Sequence, residues 1–177
     1  MSLNNSERKY FNVNGYKIAK KLIDKKKISQ IQKAIVNRSK IYLGDKIRFK
    51  SITDPRFHKS LIKLKKNNPK KFGSFYDSVQ KSLELYSIVT DKKLISKICK
   101  ITNLKPENLS FNGENIRMDL PYDELHKLSW HQDRSYYFQN RDGNRGLVCW
   151  IPLINITKKL GRLMACKKSH KLGFISK

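Results

Sequence analysis

"LSWHQDRSYYFQN", residues 128–140, places a histidine and a carboxylate two positions apart, directly after a tryptophan. On a β-strand, side chains two residues apart point to the same face, and their backbone positions lie about 6 to 7 Å apart. If this stretch is a strand, one metal ion can take an imidazole nitrogen from His131 and a carboxylate oxygen from Asp133. An isolated H-x-D pattern also occurs on ordinary protein surfaces. The pattern alone therefore does not distinguish a metal site from a polar strand face, and the rest of the sequence is needed.

Short apolar or alternating runs, separated by turn residues such as Pro121, Asp142-Gly143 and Pro152, characterise the chain after residue 105. Runs of this length and texture are typical of strands in an antiparallel sheet or barrel. They are NIRMDL (115–120), SYYFQ (135–139), GLVCWIPLI (146–154) and GRLMACK (161–167). The second part of the chain is therefore predicted to be β-structure.

The first hundred residues are predicted to be mainly helical, after a short strand at residues 16–23. Asp24 is predicted to cap a helix whose isoleucines at 28, 31 and 35 share one face. Residues 75–86 show the same helical spacing, and Asp91 is predicted to cap a further helix. Residues 54–73 are rich in Lys, Asn and Pro, and we expect a surface excursion with about one helical turn there.

A length of 177 residues suits one domain, and the formal net charge is +25. Such a charge suggests nucleic acid or an anionic membrane as a partner. The lysines are spread from Lys9 to Lys177, however, which favours a general bias at solvated positions over one nucleic-acid-binding face. A basic nucleic-acid-binding protein therefore stays a minor hypothesis.

The three cysteines form no CxxC pair, and no stretch has the length and apolarity of a signal peptide or a membrane span. Sparse, unpaired cysteines fit a reducing compartment. We therefore expect a cytoplasmic protein without a membrane span.

Several ordered motifs resemble the phytanoyl-CoA dioxygenase family of Fe(II)- and 2-oxoglutarate-dependent oxygenases. That family has an arginine-bearing strand, then W-H-x-D, then a W-[IV]-P-L strand, then a G-x-L segment followed by P-G-S-H-K. The opening stretch NGYKIAKKLIDKKKISQIQKAI also looks like the family's first strand and helix. The matching residues here are Arg117 with Asp119, Trp130 with His131 and Asp133, Trp150 to Leu153, Gly161 with Leu163, and Ser169 to Lys171.

The resemblance implies a mainly β or α+β fold, namely a double-stranded β-helix (a cupin-like jelly roll) with N-terminal flanking helices. It implies an enzyme that hydroxylates an unactivated carbon of a small organic substrate while 2-oxoglutarate is decarboxylated to succinate. Fe(II), 2-oxoglutarate and O2 are the implied cofactor and cosubstrates, and His131 and Asp133 the implied iron ligands and catalytic residues. Gln132 and Arg117 are implied cosubstrate neighbours. Tyr137 joins them if its strand continues unbroken from Asp133, whereas a bulge would instead turn Tyr136 and Phe138 inward.

The sequence departs from the family pattern in two places. The family's distal histidine and the basic residue that pairs with 2-oxoglutarate have no counterpart before Lys177. His170, His58 and His126 are weaker candidates for the third ligand. Lys168 also stands where the family commonly has glycine, so a positive φ there would cost about 1 kcal/mol.

Two hypotheses follow from the missing triad member. One is a catalytic oxygenase whose reading frame is truncated, with residues 1–177 forming a single partial domain. In this domain residues 1–105 are a mainly helical flank, and residues 106–177 are the first strands of a barrel that is incomplete at its C-terminus. The other is a non-catalytic remnant or binding module of the same fold.

Overall fold

The computed structural model describes residues 3–44, 46–111, 113, 115–121, 128–133, 146–173 and 175. Six α-helices lie within these residues. They are α1 (Leu3–Asn14), α2 (Lys25–Leu43), α3 (Pro55–Asn67), α4 (Pro69–Gln80), α5 (Leu83–Val89) and α6 (Lys92–Thr102). Single 3-10 turns follow at Pro106–Asn108, Lys158–Leu160 and Ser169–Leu172. The chain divides into two compact units, Ala19–Asp123 and Met1–Ile18 with Glu124–Lys177.

The helices of the first unit begin at short polar side chains. Asp24 accepts a hydrogen bond from the backbone N–H of Lys26, and Asp91 accepts from those of Lys93 and Leu94. Each carboxylate satisfies amide groups that have no partner inside the helix, and its negative charge suits the positive end of the helix dipole. The predictions of caps at Asp24 and Asp91 are confirmed.

Residues 54–73 form helices where the sequence analysis placed a surface excursion, so that prediction is wrong. Asp54 caps α3 and Pro55 is its first residue; Asn68 caps α4 and Pro69 is its first residue. Proline is well tolerated at the first helical position because the N–H that it lacks would have no intrahelical partner. The two Asx-Pro pairs are therefore helix starts, and the lysines between them occupy the solvated face.

The core of the Ala19–Asp123 unit is built where α2 contacts α4 and α5, and where α4 contacts α3. Phe75 of α4 is completely buried, and its ring packs edge-on against Tyr42 at a centroid distance of 5.7 Å. Burial of apolar side chains such as these is the main favourable term in folding. The buried apolar residues of this unit are Ile31, Ala34, Ile35, Val36, Phe57, Leu61, Phe75, Val79, Leu85, Ile88, Leu94, Ile101 and Ile116.

In the other unit, the turn around Ser169–Leu172 docks on the C-terminal end of α1. The backbone N–H of Lys168 donates to the carbonyl of Asn14 at 2.9 Å, and Nε2 of His170 donates to the carbonyl of Asn12 at 2.9 Å. The last carbonyls of a helix lack intrahelical donors, so these bonds complete the end of α1. Lys168 adopts φ +68°, the positive value that its alignment with the family's glycine suggested.

The predicted double-stranded β-helix is wrong: the described residues are helical or irregular and contain no strand. Side-chain alternation specifies the two faces of an extended segment, but a sheet also needs a second segment that pairs with its backbone groups in register. Residues 146–157 contain no such ladder, and the apolar side chains at 147–150 stay exposed. Val148 is 50% exposed and Trp150 is 47% exposed.

The predicted strand at residues 16–23 is also wrong, because this segment passes through a turn at Lys20 and Lys21. Lys21 has φ +55°, which lies outside the extended region that a strand requires. No helix among the described residues is both long enough and apolar enough to cross a membrane. The assignment of residues 1–177 to one domain stays a prediction.

Candidate functional site

His131 and Asp133 lie side by side in the unit that contains residues 128–133. Nε2 of His131 is 3.4 Å from Oδ1 of Asp133. The imidazole side chain is 22% exposed and the carboxylate 50% exposed, so the pair is accessible from solvent. The two side chains that the H-x-D pattern singled out do face each other, although the chain that carries them is not a strand.

The other ring nitrogen of His131 is bonded to the backbone. Nδ1 lies 2.6 Å from the carbonyl oxygen of Ser129, and a carbonyl can only accept, so Nδ1 carries the proton of this hydrogen bond. In neutral imidazole the lone pair is then on Nε2 and points toward the carboxylate of Asp133. A proton on Nε2 or a metal ion between the two atoms would make this contact favourable.

The distance between the two atoms fits a shared metal ion. With metal–ligand bonds of about 2.1 Å, two ligand atoms lie about 3.0 Å apart at a right angle and about 3.4 Å apart at a tetrahedral angle. A backbone carbonyl is also one of the partners that orient metal-binding imidazoles. His131 and Asp133 therefore qualify as two ligands of one divalent ion. Among the residues that the structure describes, no group of three His, Cys, Asp or Glu side chains could hold a metal.

The side chain of Gln132 forms hydrogen bonds with backbone groups. Its side-chain amide donates to the carbonyl of Gly173 at 2.7 Å and accepts from the N–H of Ile175 at 2.9 Å. These two bonds tie Gly173 and Ile175 to the middle of the His-x-Asp motif. The predicted place of Gln132 beside a cosubstrate stays a prediction.

Arg117 belongs to the Ala19–Asp123 unit. Its guanidinium donates to Oδ1 of Asp119 at 2.8 Å, and both side chains are partly exposed. Burial raises the pKa of the neighbouring Tyr76, and the positive charge of Arg117 partly opposes this increase. Arg117 and Asp119 thus form an ion pair of the kind that usually contributes little to stability. The role of Arg117 as a cosubstrate neighbour stays a prediction.

The remaining candidate residues divide into two groups. Tyr137 and His126 lie outside the described residues. His58 and His170 are each bonded through Nε2 to a backbone carbonyl, of Ile52 at 2.6 Å and of Asn12 at 2.9 Å. Because those nitrogens act as donors, both histidines have a structural use in this arrangement.

Two features of the site have no signal in the sequence. The carbonyl of Ser129 orients His131, but any residue two positions before a histidine offers a carbonyl. The contacts of Gln132 join residues more than forty positions apart, which local patterns do not encode. Comparisons with protein-family models, with curated proteins and with solved structures find no match to this chain.

Proposed function

We propose that the chain is an Fe(II)- and 2-oxoglutarate-dependent dioxygenase that acts on a small organic substrate, with His131 and Asp133 as its iron ligands. The observation that carries this proposal is the 3.4 Å separation of Nε2 and Oδ1, together with the bond between Nδ1 and Ser129. The motif order around His131 supports it as a resemblance. The proposal rests on this local arrangement and requires no barrel.

Bound Fe(II) would supply the activation of dioxygen that couples decarboxylation of 2-oxoglutarate to hydroxylation of an unactivated carbon. The chain's own residues have simpler tasks. Because Nδ1 of His131 donates to Ser129, Nε2 is the nitrogen that would bind the ion, and Asp133 would contribute a negative charge. An imidazole and a carboxylate together suit Fe(II) among the divalent ions and leave positions for the oxygens of a 2-oxo acid.

The experiment is to measure succinate formed from 2-oxoglutarate in the presence of Fe(II) and O2. Wild-type protein should form succinate, and His131→Ala and Asp133→Ala should each lower the rate to the background without protein. His58→Gln is the matched control, because Nε2 of His58 is engaged by the carbonyl of Ile52 and glutamine keeps a donor there, so the rate should stay unchanged. Equal rates in the wild type and in His131→Ala would contradict the proposed ligands.

A non-catalytic binding module is the second candidate. It is favoured by the fact that the described residues bring together two candidate ligands where the family uses three. Under this alternative the wild type forms no succinate above background, and a metal bound at His131 and Asp133 has only a structural effect.

A further inference from the structure

The side chain of Gln132 connects the middle of the His-x-Asp motif to a distant part of the chain. Its carboxamide donates to the carbonyl of Gly173 at 2.7 Å and accepts from the N–H of Ile175 at 2.9 Å. Two hydrogen bonds from one planar group fix its orientation as well as its position. Gln132 is half-buried, whereas Trp130 and Asp133 around it are exposed. Its side chain is therefore turned toward the protein within an exposed stretch.

The backbone of Gly173 has a conformation that suits this contact. Its φ of +72° and ψ of −163° lie in a region that only glycine adopts without strain. Gly173 directly follows the turn Ser169–Leu172, so this conformation determines the direction in which the chain leaves the turn. The carbonyl of Gly173 and the N–H of Ile175 thereby both reach Gln132.

The turn that precedes Gly173 is itself attached to α1. The backbone N–H of Lys168 and Nε2 of His170 each donate to a carbonyl at the C-terminal end of this helix, at 2.9 Å in both cases. The helix, the turn and the His-x-Asp motif belong to the same compact unit. The groups that Gln132 binds are therefore held in place by a helix.

The place of Gln132 in the chain makes this attachment relevant to the two candidate ligands. Because peptide units are planar, the φ and ψ angles of Gln132 determine how the Cα atoms of His131 and Asp133 are placed relative to each other. A side chain that is fixed at its carboxamide restrains these two angles. The facing arrangement of the pair, with Nε2 and Oδ1 at 3.4 Å, depends on them.

We propose that Gln132 is a positioning residue for the pair, and that its bonds to Gly173 and Ile175 keep the side chains of His131 and Asp133 facing each other. The inference rests on the proposed function for the identity of the ion, but the arrangement of the two side chains is measurable without metal. The carboxamide acts through the two ligands and does not need to touch the cosubstrate.

The test compares four variants of the full chain in two matched pairs. Gln132→Ala removes both bonds, and its control is Gln80→Ala, because Gln80 also binds both backbone groups of one residue, Ile116, in the other unit. Gly173→Ala keeps Gln132 but strains the backbone that it binds, with open space around the new Cβ. Its control is Gly161→Ala, since Gly161 has φ +71° and open space as well.

The first readout is the nuclear Overhauser contact between the imidazole protons of His131 and the β-protons of Asp133 in metal-free protein. The contact should be present in the wild type and in both controls, and it should be lost in Gln132→Ala and weakened in Gly173→Ala. The second readout is the dissociation constant for Fe(II), which should rise about tenfold in Gln132→Ala and stay unchanged in Gln80→Ala.

Hydrogen exchange of the Lys168 amide separates positioning from a general loss of structure. This amide bonds to Asn14, and its protection should persist in Gln132→Ala. If its protection and the contact between His131 and Asp133 are lost together, Gln132 holds the whole unit and the proposal is overturned.

An unchanged contact between His131 and Asp133 in Gln132→Ala would overturn the positioning role and leave the proposed function standing. An equal loss of the contact in Gln80→Ala would also overturn it. If the contact is lost in Gln132→Ala alone of this pair, but the wild type binds no Fe(II), the positioning role is supported and the proposed function is contradicted.

Discussion

Gln80 and Ile116 exchange two hydrogen bonds, although they lie 36 residues apart in the chain. The side-chain amide of Gln80 donates to the carbonyl of Ile116 at 2.7 Å, and its oxygen accepts from the N–H of Ile116 at 2.6 Å. The isoleucine side chain is only 5% exposed. One glutamine on α4 thus binds both backbone groups of Ile116, a residue that was expected to pair with a neighbouring strand.

Gln80→Ala should destabilise the Ala19–Asp123 unit by about 2 kcal/mol, since two hydrogen bonds of about 1 kcal/mol each are lost at a partly buried backbone. Gln80→Glu is the matched variant, because it keeps the acceptor for the N–H of Ile116 and loses the donor to its carbonyl. We expect Gln80→Glu to be intermediate in urea unfolding followed by circular dichroism. An alanine variant as stable as the wild type would show that Gln80 does not hold this segment.

Asp91→Ala should lower the free energy of unfolding by about 1 to 2 kcal/mol, because α6 loses its N-terminal cap. Asp91→Asn retains a capping oxygen and should lose less. Lys27→Gln removes the ion pair, together with the bond from Nζ to the carbonyl of Ser87, and leaves the cap of Asp91 in place. Urea midpoints of the three variants provide the comparison, and equal midpoints for Asp91→Ala and Asp91→Asn would contradict a capping role.

Acid should destabilise the fold through Asp54 and Asp91. Hydrogen bonds from the Arg56 side chain hold the pKa of Asp54 well below its ordinary value, and the bond from Lys27 lowers the pKa of Asp91. An unfolded carboxyl group titrates near pH 3.9, so below about that pH the unfolded chain binds more protons than the folded one. The contribution of both groups is therefore complete above pH 5 and is lost as the pH falls through the lowered values.

The double variant with Asp54→Asn and Asp91→Asn keeps two capping oxygens but no longer titrates there. Its unfolding midpoint in urea should fall less steeply than that of the wild type between pH 5 and the acid range. An unchanged slope in the double variant would contradict the assignment of acid sensitivity to these two carboxylates.

Gly15→Ala should destabilise the turn that follows α1 for two reasons, a strained backbone and a steric clash. Gly15 has φ +81°, and a Cβ atom there would run into the imidazole of His170. Gly161→Ala is the control, since Gly161 has φ +71° with open space around it. Hydrogen exchange of the Lys168 amide, which bonds to Asn14, should quicken in Gly15→Ala and remain unchanged in Gly161→Ala.

Local signals in the sequence account for part of the helical unit. The caps at Asp24 and Asp91 and the apolar spacing of α2 and α6 follow from short-range chemistry and are found in the structure. The starts of α3 and α4 have equally local signals in Asp54-Pro55 and Asn68-Pro69. These signals were missed because the abundance of Lys, Asn and Pro was interpreted as irregular structure. The one helix expected over residues 75–86 is divided because Ser82 caps a new helix, α5.

The β-structure was predicted wrongly because strand pairing is not a local property. Residues 146–154 have the composition of a strand, but composition does not specify which other segment would pair with them. The contact of His131 with Asp133 was predicted from the geometry of a strand. The two side chains do face each other, but they lie on irregular backbone. The bonds from Gln132 to Gly173 and Ile175 depend on the tertiary arrangement, and the sequence contains no sign of them.

The most direct measurement is anaerobic calorimetric titration of the chain with Fe(II), in the wild type, in His131→Ala, in Asp133→Ala and in His58→Gln. We predict one bound ion per chain in the wild type and in His58→Gln, and a loss of at least tenfold in affinity in each of the other two, because each removes one of the two facing ligand atoms. Binding that is equally tight in all four proteins, or absent from the wild type, would contradict the assignment of His131 and Asp133 as a metal site.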